Sequence, residues 1–87
     1  MTFEFDPLKS ASNKAKHGID FVEAQALWQD DRLVEAPVPS EVELRFLAIG
    51  RLDGKSWTAV FTLRGEAVRI ISVRRARKEE VAFYEGT

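Results

Sequence analysis

The dipeptide Asp53-Gly54 lies between two strand-like segments, residues 42–52 and 55–63, and it constrains the fold more than any other feature of the chain. Aspartate followed by glycine favours the two-residue turn that joins antiparallel strands. If the turn holds only these two residues, Leu52 pairs with Lys55 and the register of both strands is fixed. The pairs then continue outward as Gly50 with Trp57, Ala48 with Ala59, Phe46 with Phe61 and Leu44 with Leu63. The sequence therefore predicts a hairpin with one entirely apolar face.

The second face of this hairpin combines polar and apolar side chains, and we call it the mixed face. Its predicted pairs are Arg51 with Ser56, Ile49 with Thr58, Leu47 with Val60, Arg45 with Thr62 and Glu43 with Arg64. A surface of this composition is expected to be covered only in part by the core. On the apolar face, Gly50 is predicted to leave room for the Trp57 ring.

A second turn at Arg64-Gly65 predicts a third strand in the same sheet, although arginine is a poor residue for a positive φ angle. In this strand Val68 and Ile70 are expected to continue the apolar face. The residues expected on the mixed face are Arg69, Ile71, Val73 and Arg75. The three strands would form an antiparallel meander.

Two helices are predicted before the hairpin. Asp6-Pro7 provides a capping carboxylate and a ring preset for the first helical turn, and Gly18 ends this helix. Asp20 caps the second helix, residues 21–28, whose apolar side chains recur at helical spacing. Glu23 lies three residues after that cap, as in a capping box.

Shorter segments complete the predicted order of elements. They are an edge strand at residues 3–5, a strand at 33–36, a proline-punctuated loop at 37–40 and a C-terminal helix at 77–85. The predicted fold class is α+β: an antiparallel β-meander packed by two N-terminal helices and closed by a C-terminal helix. We expect one domain spanning residues 1–87.

The composition excludes several kinds of site and location. The chain has no cysteine, so it has no disulfide and no thiolate nucleophile, and with His17 as its single histidine it cannot form a His-rich metal site. No apolar run approaches the roughly 20 residues of a membrane-spanning helix, and the acidic start of the chain does not resemble a signal peptide. We therefore expect a cytoplasmic protein, away from membranes, that uses neither a metal nor a cofactor.

Positive charge is concentrated towards the C-terminus. The net charge is −1, yet residues 64–78 set six basic side chains against the single acid Glu66. The six are Arg64, Arg69, Arg74, Arg75, Arg77 and Lys78. These arginines either bind the phosphates of a ligand or form ion pairs with Glu43, Glu79 and Glu80. The sequence leaves both interpretations open.

Few side chains are suited to acid–base chemistry. His17 and Lys16 could transfer a proton and bind phosphate, or they could simply end a helix. Tyr84 could donate a proton or stack on a base, or it could belong to the core. Asp30-Asp31 has no third ligand nearby and is interpreted as a helix-end turn. These groups suffice for metal-independent RNA cleavage, in which the ribose 2′-OH attacks the adjacent phosphate.

Four segments, taken in order, resemble one known family. They are Phe5-Asp6-Pro7 with Lys9, residues 13–24 (Asn-Lys-Ala-Lys-His-Gly-Ile-Asp-Phe-Val-Glu-Ala), residues 45–51, and residues 69–76 (Arg-Ile-Ile-Ser-Val-Arg-Arg-Ala) followed by Glu80 and Tyr84. Together they are similar to the BrnT-type ribonuclease toxins of type II toxin–antitoxin pairs.

The resemblance implies a RelE-like fold, an endoribonuclease whose RNA cleavage halts translation, and a cognate antitoxin of the BrnA type. Such an antitoxin binds operator DNA through a ribbon-helix-helix domain, so this chain would reach DNA only through its partner. Together with the basic segment, the resemblance points to Lys16, His17, Arg64, Arg74, Arg75 and Tyr84 as catalytic residues. Arg45 and Arg69 are the candidates for substrate binding.

Two positions depart from the family pattern. Many relatives carry a histidine shortly before the Glu-x-Arg-Phe strand, where this chain has Pro39-Ser40-Glu41, and Phe5 replaces a tryptophan. If that histidine takes part in catalysis, this chain has a weak or altered activity. The alternative function is a non-catalytic binding module whose arginine-rich sheet face docks an acidic partner protein or RNA.

Overall fold

Five strands and three helices, described for residues 1–86 in a computed structural model, make up the fold. The strands are β1 (Thr2–Glu4), β2 (Val34–Val38), β3 (Arg45–Leu52), β4 (Lys55–Arg64) and β5 (Ala67–Arg75). The helices are α1 (Pro7–His17), a 3₁₀ helix (Glu23–Gln29) and α2 (Lys78–Glu85). The strands form one sheet in the order β1-β5-β4-β3-β2, parallel only between β1 and β5. The predicted α+β class and its antiparallel meander are confirmed. None of the described helices is both long and apolar enough to cross a membrane.

The register predicted from Asp53-Gly54 is confirmed from Leu52 paired with Lys55 to Phe46 paired with Phe61. Both turn residues have positive φ angles, 53° and 76°, as a tight two-residue hairpin turn requires. The predicted pair of Leu44 with Leu63 is not formed, because β3 begins one residue later.

The role predicted for Gly50 is wrong. A methyl group at Gly50 would lie 2.9 Å from Leu33 Cδ1 and 3.4 Å from Leu27 Cδ2. The space is therefore occupied by side chains from the segment before β2, and not by the Trp57 ring.

A β-bulge in β5 changes which side chains share a face. Phe61 pairs with Ile70 but Val60 pairs with Ser72, so Ile71 is an extra residue between the two pairs. Val73 consequently lies opposite Ala59 on the apolar face, fully buried, and Arg75 lies opposite Trp57. The prediction that Val73 and Arg75 belong to the mixed face is wrong, because the inserted residue reverses the alternation of side chains beyond it.

The turn between β4 and β5 consists of Gly65 and Glu66. Arg64 is the last residue of β4 and pairs with Ala67, while Gly65 supplies the positive φ angle of 60°. This resolves the difficulty of an arginine in the turn, because Gly65 occupies the position that arginine would disfavour.

The first predicted helix is confirmed at both ends. The Asp6 carboxylate accepts a hydrogen bond from the Leu8 amide at 2.9 Å, and Gly18 ends α1 with a φ of 82°. The second predicted helix is wrong in type and in its start, because the residues form a 3₁₀ helix that begins at Glu23. Its buried side chains are Ala24 and Leu27, and Phe21 is buried just before it. The spacing of three residues matches the three residues per turn of a 3₁₀ helix.

The outer segments of the sheet also differ slightly from the prediction. The edge strand expected at residues 3–5 lies at Thr2–Glu4. The proline loop expected at residues 37–40 starts later, because β2 continues through Pro37 to Val38. An edge strand tolerates proline, since it needs no donor on its outer side.

The core lies on the apolar face of the sheet, beneath the segment that leads into the 3₁₀ helix. Its buried residues are Ile19, Phe21, Ala24, Leu27, Ala48, Trp57, Ala59, Phe61, Val68, Ile70 and Val73. Helix α2 lies against the opposite, mixed face, where Ile49 and Thr58 are buried. The mixed face is therefore less exposed near α2 than the hairpin pattern predicts.

Candidate active site

Arg74 and Arg75, adjacent in the sequence, point to opposite faces of β5. Arg74 lies opposite Thr58 on the mixed face, and Arg75 lies opposite Trp57. Successive side chains of a strand alternate between faces, so the two arginines do not share one ligand-binding surface.

Arg74 is held by α2. Its two terminal nitrogens donate to the two carboxylate oxygens of Glu80 at 2.7 and 2.9 Å, and Glu80 also accepts from the Thr58 hydroxyl at 2.9 Å. The fork of hydrogen bonds from Arg74 lowers the pKa of Glu80 to about 2 and raises that of Arg74. A bidentate pair this well ordered ties the helix to the sheet. Of the two interpretations of Arg74, phosphate binding or ion pairing, the structure shows the ion pair, and its partner is Glu80.

Arg75 keeps its charge unneutralised. Its guanidinium lies 5.5 Å from the centre of the Trp57 ring, and its Nε donates to the Ser56 carbonyl at 3.3 Å. The ion pairs among residues 1–86 use Lys14, Arg45, Arg69 and Arg74, and none uses Arg75. Stacking on an aromatic ring orients a guanidinium while leaving its outer N–H groups available to an anion.

An open groove of about 340 Å³ runs beside Trp57. It is lined by Gly18, Ile19, Glu23, Leu52, Asp53, Lys55 and Trp57. Lys16 and His17, both exposed, occupy the last turn of α1, directly before Gly18. The basic end of the helix therefore meets the groove.

Asn13 joins this end of α1 to the sheet. Its amide nitrogen donates to the carbonyls of Ile19 and Val73, both at 2.8 Å, and its amide oxygen accepts from the Val73 N–H at 3.2 Å. His17 lies one turn beyond Asn13, and Arg75 two residues beyond Val73, which are rises of about 6 Å and about 6.6 Å. From these anchor points α1 and β5 both continue towards the groove. The geometry therefore brings His17 and Arg75 to the same end of the sheet.

Three of the predicted arginines lie at the opposite end of the mixed face. Arg69 pairs with Thr62 in the sheet, Arg64 ends β4, and Arg45 begins β3. Arg64 lies seven positions beyond Trp57 in β4, a rise of about 23 Å. We call Arg45, Arg64 and Arg69 the arginine row, and the structure separates it from His17 and Arg75.

Acids accompany two members of the arginine row. Arg69 donates to Glu4 at 3.1 Å, and the Arg45 Nε lies 4.0 Å from a Glu43 oxygen. The loop from residue 39 to residue 41 precedes β3 and so lies at this end of the sheet. The row is thus less positive than its arginines alone suggest.

Tyr84 is buried and donates a hydrogen bond to Asp30 at 2.7 Å. This bond is the main cause that raises the pKa of Tyr84. Burial alone would raise the pKa of Asp30, but hydrogen bonds from Tyr84 and from the amides of Arg51 and Arg32 lower it. The pair joins α2 to the end of the 3₁₀ helix, so Tyr84 is not grouped with His17 and Arg75.

Sequence reasoning missed two residues of this site. It interpreted Trp57 only as core, although the ring also carries the Arg75 guanidinium. It gave Asn13 no role, because the partner of its amide, Val73, lies 60 residues further along the chain. An asparagine inside a helix beside a Lys-x-Lys-His run was the available signal, since asparagine is a poor helix former. Phe5 packs edge-on against Phe21 with ring centres 5.8 Å apart.

Comparison with known proteins agrees with the sequence resemblance. None of the curated proteins compared with the chain matches it. A family model described as the ribonuclease toxin BrnT of type II toxin–antitoxin systems matches residues 5–80, which include His17, Arg75 and the whole sheet from β2 to β5. The chain therefore belongs to the BrnT family of ribonuclease toxins.

Proposed function

We propose that this chain is a metal-independent endoribonuclease whose active site is formed by His17, Lys16 and Arg75 beside the Trp57 groove. The ribose 2′-oxygen forms a bond to the adjacent phosphorus, and the bond from phosphorus to the 5′-oxygen of the next nucleotide breaks. The products are a 2′,3′-cyclic phosphate and a free 5′-hydroxyl. One proton leaves the 2′-OH and one reaches the 5′-oxygen; His17 carries one of them and water exchanges the other.

The unneutralised Arg75 guanidinium is the observation that carries this proposal. Negative charge builds on the phosphate oxygens in the transition state, and a preoriented cation stabilises it. Arg75 is oriented by Trp57 and the Ser56 carbonyl, and Lys16 adds a second exposed positive charge from α1. Histidine is the side chain that titrates nearest to neutral pH, which suits His17 to proton transfer.

The other predicted residues have different roles in this proposal. Arg74 and Tyr84 act at a distance, because their polar groups bind Glu80 and Asp30 and thereby fix α2. The arginine row is the competing place for the RNA phosphates, about 23 Å along β4 from Trp57. An experiment must therefore separate the two ends of the sheet.

Type II systems pair a toxin with an antitoxin, so membership of the family implies a protein partner. We propose that this partner is of the BrnA type and carries a ribbon-helix-helix domain. In the complex, only that domain binds operator DNA. We also propose that RNA cleavage in the cytoplasm stops translation, and that the domain is RelE-like.

The test is cleavage of total RNA by the purified chain in excess EDTA, read as fragments that end in 2′,3′-cyclic phosphate. We expect Arg75→Ala to reduce the rate about 100-fold or more, the usual effect of losing one transition-state donor. His17→Gln should reduce it at least about 100-fold and remove one limb of the pH–rate profile.

Two matched variants identify the site. Lys9→Ala removes an exposed cation from the other end of α1 and should leave the rate unchanged. Arg64→Ala should change the cleavage rate less than about threefold. If Arg64→Ala instead abolishes cleavage while Arg75→Ala still cleaves RNA, the active site lies at the arginine row. If the wild-type chain binds RNA without cleaving it, with or without ribosomes, the non-catalytic binding module is the correct function.

A further inference from the structure

A second groove, of about 420 Å³, lies on the apolar face of the sheet at the end away from Trp57. It is lined by Met1, Trp28, Glu35, Ala36, Pro37, Phe46, Phe61, Leu63, Glu66 and Val68. We call it the β2 groove, because edge strand β2 forms one wall. Its lining is mostly apolar, and Leu63 within it keeps 53% of its surface exposed. A leucine this exposed, beside the buried ring of Phe61 and the partly buried rings of Trp28 and Phe46, marks a surface suited to binding.

Packed aromatic rings form the floor of the β2 groove. Phe46 and Phe61 stack with ring centres 5.4 Å apart, and Trp28 packs edge-on against Phe61, also at 5.4 Å. Phe3 closes the cluster from β1, with its ring centre 5.2 Å from that of Trp28. Interlocked rings form a preorganised surface that loses little entropy when another apolar group binds.

The charges of the β2 groove disfavour RNA and favour a basic polypeptide. The charged side chains of its lining are the carboxylates of Glu35 and Glu66, and within residues 1–86 neither forms an ion pair. Phosphate would be repelled there, whereas a lysine or arginine beside an apolar side chain would be attracted. Phe61 lies four positions from Trp57 in β4, which places the groove about 13 Å along the strand from the proposed active site.

We propose that the β2 groove is where the antitoxin docks, through a segment that places an apolar side chain over Phe46 and Phe61 and a lysine or arginine beside Glu35 and Glu66. The proposal rests on the toxin–antitoxin part of the proposed function and not on the catalytic residues. Docking occurs beside the active site, so anchoring and inhibition use different contacts. The free toxin keeps its activity when the groove is altered.

The first test places a charge in the groove. Leu63→Glu is compared with Leu8→Glu, which introduces the same charge at an 81% exposed leucine on α1. The probe is the purified product of the reading frame directly beside this chain's own, titrated by calorimetry. We expect Leu63→Glu to weaken binding at least about 100-fold and Leu8→Glu less than about threefold, because a carboxylate loses its hydration in an apolar contact. Equal affinities of the two variants would overturn the proposal.

The second test reverses the rim charges. Glu35→Lys/Glu66→Lys is compared with Glu41→Lys/Glu85→Lys, which changes the net charge equally at exposed acids outside the groove. We expect about tenfold weaker binding for the first variant only, and less loss in high salt. Equal effects of both variants would show a long-range charge effect and contradict docking at the groove.

Two further measurements keep this proposal separate from the catalytic one. RNA cleavage by the four free variants should equal that of wild type; if wild type cleaves no RNA, the catalytic proposal fails while the binding comparison still decides the docking site. A wild-type chain that does not bind the probe, or a free dimer that Leu63→Glu dissociates, would overturn the docking proposal.

Discussion

At the scale of single residues, Asn13 has the clearest structural role in the proposed active site. Strand β1 pairs with β5 only as far as Arg69, so within residues 1–86 no strand lies beside the outer edge of β5 at Val73. The Asn13 amide replaces that strand by satisfying both the N–H and the carbonyl of Val73. It also holds the Ile19 carbonyl, so one side chain fixes helix, loop and strand together.

Replacing Asn13 by alanine is expected to lower the free energy of unfolding by about 2–4 kcal/mol, because three buried backbone groups lose their partners. The measurement is urea denaturation, with hydrogen exchange at the Val73 amide as a local probe. Ser12→Ala, at the exposed neighbouring position, is the control and should change stability by less than about 0.5 kcal/mol. If both variants unfold at the same urea concentration, water satisfies Val73 as well as Asn13 does.

The sequence identifies the basic residues of the site but cannot group them. Arg75 and His17 are recognisable as candidates, because arginine binds phosphate and histidine titrates near neutral pH. The grouping depends on which arginine has an acid partner, and Glu80 reaches Arg74 only after α2 folds back on the sheet. The distance of Arg64 from Arg75 likewise follows from strand direction, which residue type alone does not reveal.

At the scale of elements, local signals predict the hairpin and fail at the bulge. Asp53-Gly54 fixes the β3–β4 register because the turn residues themselves require it. No glycine or proline marks the extra residue Ile71, so the local sequence gives no sign of the bulge. One inserted residue moves Val73 into the core and Arg75 over Trp57, so the bulge decides where the proposed active site lies.

Helix α2 is expected to loosen from the sheet in acid. The pKa of Glu80 is about 2 in the folded chain, against an ordinary value of 4.5, chiefly because Arg74 donates to it. A lowered carboxyl pKa means that its stabilisation is complete above about pH 4.5 and is lost as the pH falls towards 2. Glu80→Gln should therefore lower the unfolding free energy by about 1–2 kcal/mol at pH 7, and by less at pH 3.

The measurement is urea denaturation at both pH values. Its control is Glu79→Gln, an exposed acid on the same turn of α2, which should remain within about 0.5 kcal/mol of wild type at both. A difference between Glu80→Gln and wild type that is equal at pH 7 and pH 3 would show that the charge of Glu80 contributes nothing.

At the scale of the whole molecule, a net charge of −1 conceals an uneven distribution. Arg74, Arg69 and Lys14 have acids within 3.1 Å, so their charges are matched inside the fold. Lys16, Lys55 and Arg75 have no such partner among residues 1–86. Lys55 lines the Trp57 groove together with Asp53 and the Lys14-paired Glu23, while Arg75 stacks on Trp57 and Lys16 lies in the last turn of α1, just before Gly18. An anionic ligand therefore meets a local field that the average charge does not predict.

The salt dependence of RNA binding should report how many of these unpaired cations contact phosphate. About three phosphate contacts to single-stranded RNA give a slope near −2 for log K against log salt concentration. The measurement is fluorescence anisotropy with a 2′-O-methyl RNA, which lacks the attacking hydroxyl and so stays intact. Arg75→Ala should reduce the slope by about 0.7, whereas Arg64→Ala, which removes an exposed arginine at the other end of β4, should leave it unchanged. Loss of slope with Arg64→Ala alone would place the RNA on the arginine row, because counterions are released only where phosphate is held.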